Sequence, residues 1–307
     1  MCFTSQFWDL TVAGLAIGSV YALIALGYTL VYGVLQLINF AHSEVFMLGG
    51  FAGVFALRPL VDVQPTGFAS VVYVAVGVIA GGIAGAVAAV LLERTAYRPL
   101  RRRNAPKLAY LISAIGASLF MFTIAGKEFG RLAINVPRLF ENGTVFTLFG
   151  TPVRTQQLMV AGVAVAMLIG LDRLVNATRL GQGIRAVAQD AETASLMGVD
   201  INKVITLTFV IGGVLGGAAG FLYGYIFNVQ NTMGFIPGIK AFTAAVLGGI
   251  GNVRGAVLGG IVLGLVENYG VACADSAYRD IIAFSVLVLV LLVRPSGILG
   301  ERLGRSA

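Results

Sequence analysis

Asn39-Phe40-Ala41-His42-Ser43-Glu44-Val45-Phe46-Met47-Leu48-Gly49-Gly50 decides the fold class, because an amide, an imidazole and a carboxylate sit inside sequence apolar enough for lipid. It follows closely on Gly27-Tyr28-Thr29-Leu30-Val31-Tyr32-Gly33. A stretch of the same kind stands near the other end: Lys240-Ala241-Phe242, then Gly248-Gly249-Ile250-Gly251-Asn252-Val253-Arg254-Gly255, then Gly259-Gly260. Broken hydrophobic segments at comparable places in two halves point to a transport pathway through a membrane.

Composition agrees. The 307 residues are 58% hydrophobic and 11% charged, with a mean hydropathy of +0.90; soluble domains carry roughly 25% charge. Glycine, at 41 residues, is enriched as expected where helices approach closely in lipid. The net charge of +7 does not indicate nucleic acid, because the basic residues lie between apolar runs instead of along one soluble face. Cys2 and Cys273 offer neither a disulfide framework nor metal spacing, and the single histidine, His42, excludes a multi-histidine metal site. Residues 1–9 contain no Lys or Arg that could form the basic start of a secretory signal, so the first apolar run is expected to be a retained span.

A helix needs about 20 residues to cross the hydrocarbon layer. The windows 10–31, 69–92, 107–125, 157–175 and 204–226 qualify. Residues 38–57 and 240–268 are long enough but interrupted, and 281–293 is short, able to span only if Arg279 and Asp280 lie at the interface or the bilayer thins. The expected fold is therefore an all-α polytopic membrane protein. It has about eight transmembrane segments, glycine-interrupted or re-entrant near both ends, in one domain over residues 1–307.

Lys and Arg placement sets the orientation. Arg94, Arg98, Arg101, Arg102, Arg103 and Lys107 follow the third run; Arg179, Arg185 and Lys203 lie in the 176–203 loop; Arg294, Arg302 and Arg305 lie in the tail. These are expected on the cytoplasmic side. The opposing 126–156 loop holds Lys127, Arg131, Arg138 and Arg154, so the contrast is moderate. Keeping the 176–203 loop and the tail on one side requires an even number of crossings between them. A hairpin or two half-spans in 240–268 would supply it, whereas one straight helix would not.

Glycines at 212, 216, 220 and 224, at 213 and 217, at 251, 255 and 259, and at 81 and 85 fall at four-residue steps. This is helix-packing spacing, and no site is assigned to it. The loop Gly181-Gln182-Gly183-Ile184-Arg185-Ala186-Val187-Ala188-Gln189-Asp190-Ala191-Glu192-Thr193-Ala194-Ser195-Leu196-Met197-Gly198-Val199-Asp200 differs. Ala188 to Met197 reads as a short helix with mixed apolar and polar faces, stopped by Gly198. Such a helix suits docking in a groove on another protein. The alternative is a helix lying on lipid, which Asp190 and Glu192 disfavour by opposing Arg185.

Tyr21-Ala22-Leu23-Ile24-Ala25-Leu26-Gly27 through Asn39-Phe40-Ala41-His42-Ser43-Glu44 resembles the opening of bacterial branched-chain amino-acid ABC permeases of the LivH type. So do Glu93-Arg94-Thr95-Ala96-Tyr97-Arg98-Pro99-Leu100-Arg101, the loop Arg185 to Asp200, Ala244-Ala245-Val246-Leu247-Gly248-Gly249-Ile250-Gly251, and Arg294-Pro295-Ser296-Gly297-Ile298-Leu299-Gly300. The match runs in order over nearly the whole chain. One departure is Ser43, where the family commonly has glycine; its Cβ and hydroxyl challenge close backbone packing at a helix break.

The resemblance implies a permease subunit of an ATP-driven importer in the bacterial inner membrane. It would be paired with a second homologous permease subunit, two cytoplasmic ABC ATPase subunits and a periplasmic substrate-binding protein. ATP and Mg would bind on the ATPases, not on this chain. The sequence agrees in lacking a G-x-x-x-x-G-K-[ST] loop. The implied mechanism is alternating access, with the 176–203 loop transmitting ATPase motion. Arg185, Gln189, Asp190 and Glu192 are the expected polar contacts, Ala191 and Leu196 the anchor, and Gly198 the stop.

The translocation-pathway candidates are Asn39, His42, Ser43, Glu44, Lys240 and Asn252. An intramembrane Glu is by default functional; alternatively, residues 38–44 lie at the interface, with Glu44 solvated, paired to His42 or Asn39, or favoured by a helix dipole. Lys240 and Arg254 read more readily as snorkelling cations than as cargo contacts, and Asn252 as the better lining residue. Rival readings are an ion-coupled transporter, for which Glu44 and Glu267 are the plausible deep carboxylates, and a passive channel for small neutral solutes. A membrane enzyme lacks paired carboxylates, a metal cluster or a nucleophile motif. Urea or short amides are alternative cargoes within the same superfamily.

Overall fold

The two most buried spans, α1 (Phe7–Leu35) and α9 (Ile201–Ile226), lie against each other at the centre of the bundle. The computed structural model describes residues 7–60, 68–137, 139, 144–148, 151–273, 276–294 and 296–300; Arg138, Arg302 and Arg305 fall outside them. On α9 pack α2 (His42–Leu57) and α3 (Phe68–Leu92). On α1 pack α10 (Phe235–Gly248) and α11 (Val253–Cys273). Two three-helix groups therefore meet across the α1–α9 contact.

α3 runs on through a π-turn (Glu93–Tyr97) into α4 (Arg98–Arg102). Pro99 has no N–H and its ring crowds the preceding turn. The ladder widens there, and the Arg98 amide reaches the Glu93 carbonyl five residues back. Glu93, fully buried, then accepts from Arg101 at 3.1 Å and from Thr206 Oγ1 at 3.3 Å, tying α4 to the start of α9.

α5 (Lys107–Glu128), α6 (Thr155–Ala177) and α12 (Arg279–Val293) are peripheral. On α5, Leu108, Ile112, Leu119 and Phe120 are exposed, as expected of a face turned to lipid. β1 (Thr144–Leu148) and β2 (Thr151–Arg154) pair as an antiparallel hairpin. The short helices α7 (Arg179–Gln189) and α8 (Ala191–Leu196) cover the basic end of the bundle. The protein is all-α in its membrane part. Six described helices are long and apolar enough to cross a membrane, and the shorter α2, α10 and α12 complete the bundle.

Glycine makes the close contacts possible. A Cβ added at Gly81, Gly85, Gly213 or Gly217 would come under 3.0 Å from backbone oxygens of the facing helix, so α3 and α9 touch backbone to backbone. The pairing of 85 with 213 and of 81 with 217 makes them antiparallel.

Residues 240–268 fall on two antiparallel helices, with Gly248 against Gly255 and Ala244 against Gly259. The chain reverses at Gly249 (φ 107°) and Gly251 (φ 92°), conformations natural to glycine. The second arm is not a half-span: α11 has 21 residues. α9, α10, α11 and α12 alternate in direction, which gives the even number of passes that the basic residues require. The first break is tighter. Gln36 (φ 54°) turns the chain, and α2 starts at His42 beside Gly27, roughly two helical turns short of the end of α1. α2 therefore begins within the bundle, and residues 39–44 are buried, Phe40 excepted.

Candidate functional site

A cavity of about 1210 Å³ lies among α1, α2, α5, the segment from 226 to 242, and the facing ends of α11 and α12. It occupies the half of the bundle away from the basic end. Its wall is mostly apolar, with the rings of Tyr21, Tyr28, Phe40, Phe122, Tyr223 and Phe242 among the lining groups. Five charged side chains interrupt that wall: Glu44, Lys240, Glu267, Arg279 and Asp280.

Three of the six pathway candidates reach this cavity, and three do not. Ser43 lines it from the first turn of α2, its hydroxyl donating to the Phe40 carbonyl at 2.9 Å. Glu44 is buried beside it and accepts from Ser118 Oγ at 3.3 Å. Lys240 neither snorkels nor stands free. Its ammonium lies 2.9 Å from Glu267 and 2.6 Å from Asp280, and Arg279 lies 3.4 Å from Glu267. Arg279 and Asp280, at the start of α12, are thus part of a network across α10, α11 and α12 at the cavity.

Asn39 is structural. Its Oδ1 accepts from the Ala41 amide at 3.2 Å and from Tyr97 Oη at 3.1 Å, holding the start of α2 against the π-turn. The His42 ring is wedged between Gly27 and Gly216 and meets Tyr28 edge-on at 4.8 Å. Asn252 lies at the opposite end from the cavity. Its Oδ1 caps α11 through the Gly255 amide at 3.1 Å, and its Nδ2 donates to the Leu299 carbonyl at 3.0 Å. The glycine break it marks is a turn, and Asn252 is not among the residues that line the large cavity. Arg254 is exposed at the same end.

Residues 10–291 match the family model described as the permease component of branched-chain amino acid transport systems. The chain belongs to that family. The permease is 40% identical over 293 residues to the high-affinity branched-chain amino acid transport system permease protein LivH of Escherichia coli K12, covering 94% of each chain. It is 42% identical over 295 residues to BraD of Pseudomonas aeruginosa, again covering 94% of each. A probable LivH of Methanocaldococcus jannaschii is 27% identical, over 91% of this chain and 88% of its own. No solved structure matches. The relatives are transport permeases, and the permease is a multi-pass membrane protein.

Ser43, the departure noted from the sequence, fits its Cβ because α10 and the residues before it present Gly234 and Gly238 there. A Cβ at Gly238 would sit 2.5 Å from that of Ser43.

The 176–203 segment is two helices, not one running from Ala188 to Met197. Asp190 breaks it with an extended backbone and caps α8, accepting from the Glu192 and Thr193 amides at 2.9 and 3.1 Å. The Thr193 hydroxyl and these amides hold the Asp190 carboxyl below the ordinary range, so the cap persists at neutral pH and is lost only as pH falls into acid. Gly198 (φ 86°) ends α8 with the Val199 amide on the Ala194 carbonyl (3.0 Å) and its own amide on Ser195 (2.9 Å). Ile184, Val187 and Ala194 pack inward. Leu196 and Met197 are 84% and 81% exposed. Gln189 and Glu192 are exposed and Ala191 half-buried, while Arg185 donates to the Val175 carbonyl at the end of α6.

Sequence reading missed the joining of Lys240 to Arg279 and Asp280, along with Tyr21, Ser118 and the 227–234 segment of the wall. The only signal was charge of opposite sign on successive apolar helices.

Proposed function

We propose that this protein is the membrane-spanning permease subunit of an ATP-driven importer for leucine, isoleucine and valine, carrying cargo through the cavity by alternating access. The observation that carries the reading is the cavity's lining: aromatic and aliphatic side chains with a few charged groups, the chemistry suited to a small zwitterion with a branched apolar side chain. The names of the relatives agree with that cargo.

Energy enters at the other end. Leu196 and Met197 form a bare apolar knob on a short capped helix, suited to a groove on an ATPase subunit. The proposed assembly holds a second homologous permease, two ATPases that carry ATP and Mg, and a periplasmic binding protein, in the bacterial inner membrane. For the knob to transmit work, its contacts must differ in free energy between the ATPases' open and closed states.

Uptake of radiolabelled leucine into proteoliposomes, with binding protein outside and ATP inside, tests this. Uptake should require both the ATPase subunits and internal ATP, and urea in place of leucine should not be carried. Uptake by this chain alone, insensitive to ATP and abolished by collapsing ion gradients, would overturn it.

A further inference from the structure

We infer that Glu44 is the seat of the cargo's ammonium group, a residue-level reading that rests on the amino-acid importer proposed above. Glu44 is 4% exposed and lines the cavity from the first turn of α2. Its Oε1 takes one weak bond from Ser118 Oγ at 3.3 Å, and its Oε2 has no hydrogen-bond partner. Among the described residues no cation stands within ion-pair distance of it.

The other charges on the wall cancel one another. Lys240 and Arg279 are engaged with Glu267 and Asp280 at 2.6 to 3.4 Å. Two cations therefore face three carboxyl groups, and the one left without a cation is Glu44. A buried carboxylate without a partner is costly, and an incoming ammonium removes that cost. A cargo carboxylate, by contrast, meets wall cations that are already paired with Glu267 and Asp280.

Aromatic neighbours reinforce the preference. The rings of Tyr28 and Phe242, 6.0 Å apart, and of Phe40 and Phe242, 6.3 Å apart, share the wall with Glu44. Their faces attract cations. The ammonium is thereby fixed near α2, and the branched side chain is left to the apolar lining.

The test is equilibrium binding of radiolabelled leucine to the purified complex in detergent, without binding protein. Two half-molecules compete for it: 3-methylbutylamine, which has the ammonium but no carboxylate, and 4-methylpentanoate, which has the reverse. In the wild type the amine should displace leucine at roughly tenfold lower concentration than the acid. Glu44→Gln, which keeps the size and the Ser118 contact, should weaken leucine by about tenfold and abolish the amine's advantage. Equal displacement by the two competitors in the wild type, which needs no variant to fold, would overturn the assignment. So would unchanged leucine affinity in Glu44→Gln. Wild-type complex that imports leucine while Glu44→Gln behaves identically removes this inference alone; wild type that neither binds nor imports leucine removes the proposed function with it.

Discussion

Lys240 shows how far a residue's role depends on its neighbours. Alone in an apolar run it reads as a cation snorkelling towards water, yet its ammonium is buried between Glu267 and Asp280. Removing one partner of such a group leaves charge uncompensated, a loss of about 3–5 kcal/mol, whereas replacing both partners by apolar residues of similar volume is often neutral. Lys240→Met should therefore lower the thermal unfolding midpoint in detergent sharply. Lys240→Met with Asp280→Leu should recover most of that loss, since Arg279 and Glu267 remain paired at 3.4 Å. A double variant as unstable as the single would show that the network does not act as a compensated unit. His42 and Asn39 teach the converse. Both are polar and buried, but one is wedged between two glycines and the other ties α2 to Tyr97. Both positions were legible in sequence as buried polar groups; what they touch was not.

At the scale of elements, the loop between α6 and α9 was legible as a separate unit because its composition changes there. Its internal break at Asp190 was harder to read, since aspartate serves equally in a helix interior or as a cap until the backbone is known. Two changes test its role. Arg185→Glu removes the bond to the Val175 carbonyl that braces α7 against α6. Gly198→Pro forces a negative φ where the chain has +86° and removes the amide that closes α8. Each should cut ATP-dependent leucine uptake by about tenfold or more while leaving ATP hydrolysis and membrane insertion intact. Normal uptake in both variants would remove the loop from the coupling path. The broken apolar segments were visible as glycine-rich interruptions in both halves. Composition left open that one break opens a turn at the basic end while the other starts a helix inside the bundle.

Across the whole molecule, the glycine stripes are where helices meet. Gly85 and Gly217 sit backbone to backbone with Gly213 and Gly81, whereas a Cβ at Gly116 or Gly162 meets nothing within 4 Å. Gly85→Val and Gly217→Val should each abolish the monodisperse peak of the purified protein on size-exclusion chromatography, because backbone cannot yield to a branched side chain. Gly116→Ala and Gly162→Ala should leave it unchanged. Equal tolerance at both kinds of position would mean that α3 and α9 are not packed this closely. Spacing alone marks a stripe but does not name its partner: the run 212–224 serves α1, α2 and α3 at different points.

The sequence by itself determined the solvent, the helical character of the long apolar runs and the family. Lipid leaves a single-chain backbone few ways to satisfy its hydrogen bonds, so long apolar runs become helices, and the motifs from Tyr21 to Gly300 are specific in wording and order. Tertiary structure decided the site. The cavity is assembled from the start of α2, the middle of α5, the start of α10 and the facing ends of α11 and α12, segments far apart in the chain. Whether a buried charge there is cancelled, as at Lys240, or left over, as at Glu44, depends on distances of a few ångströms that no linear spacing encodes.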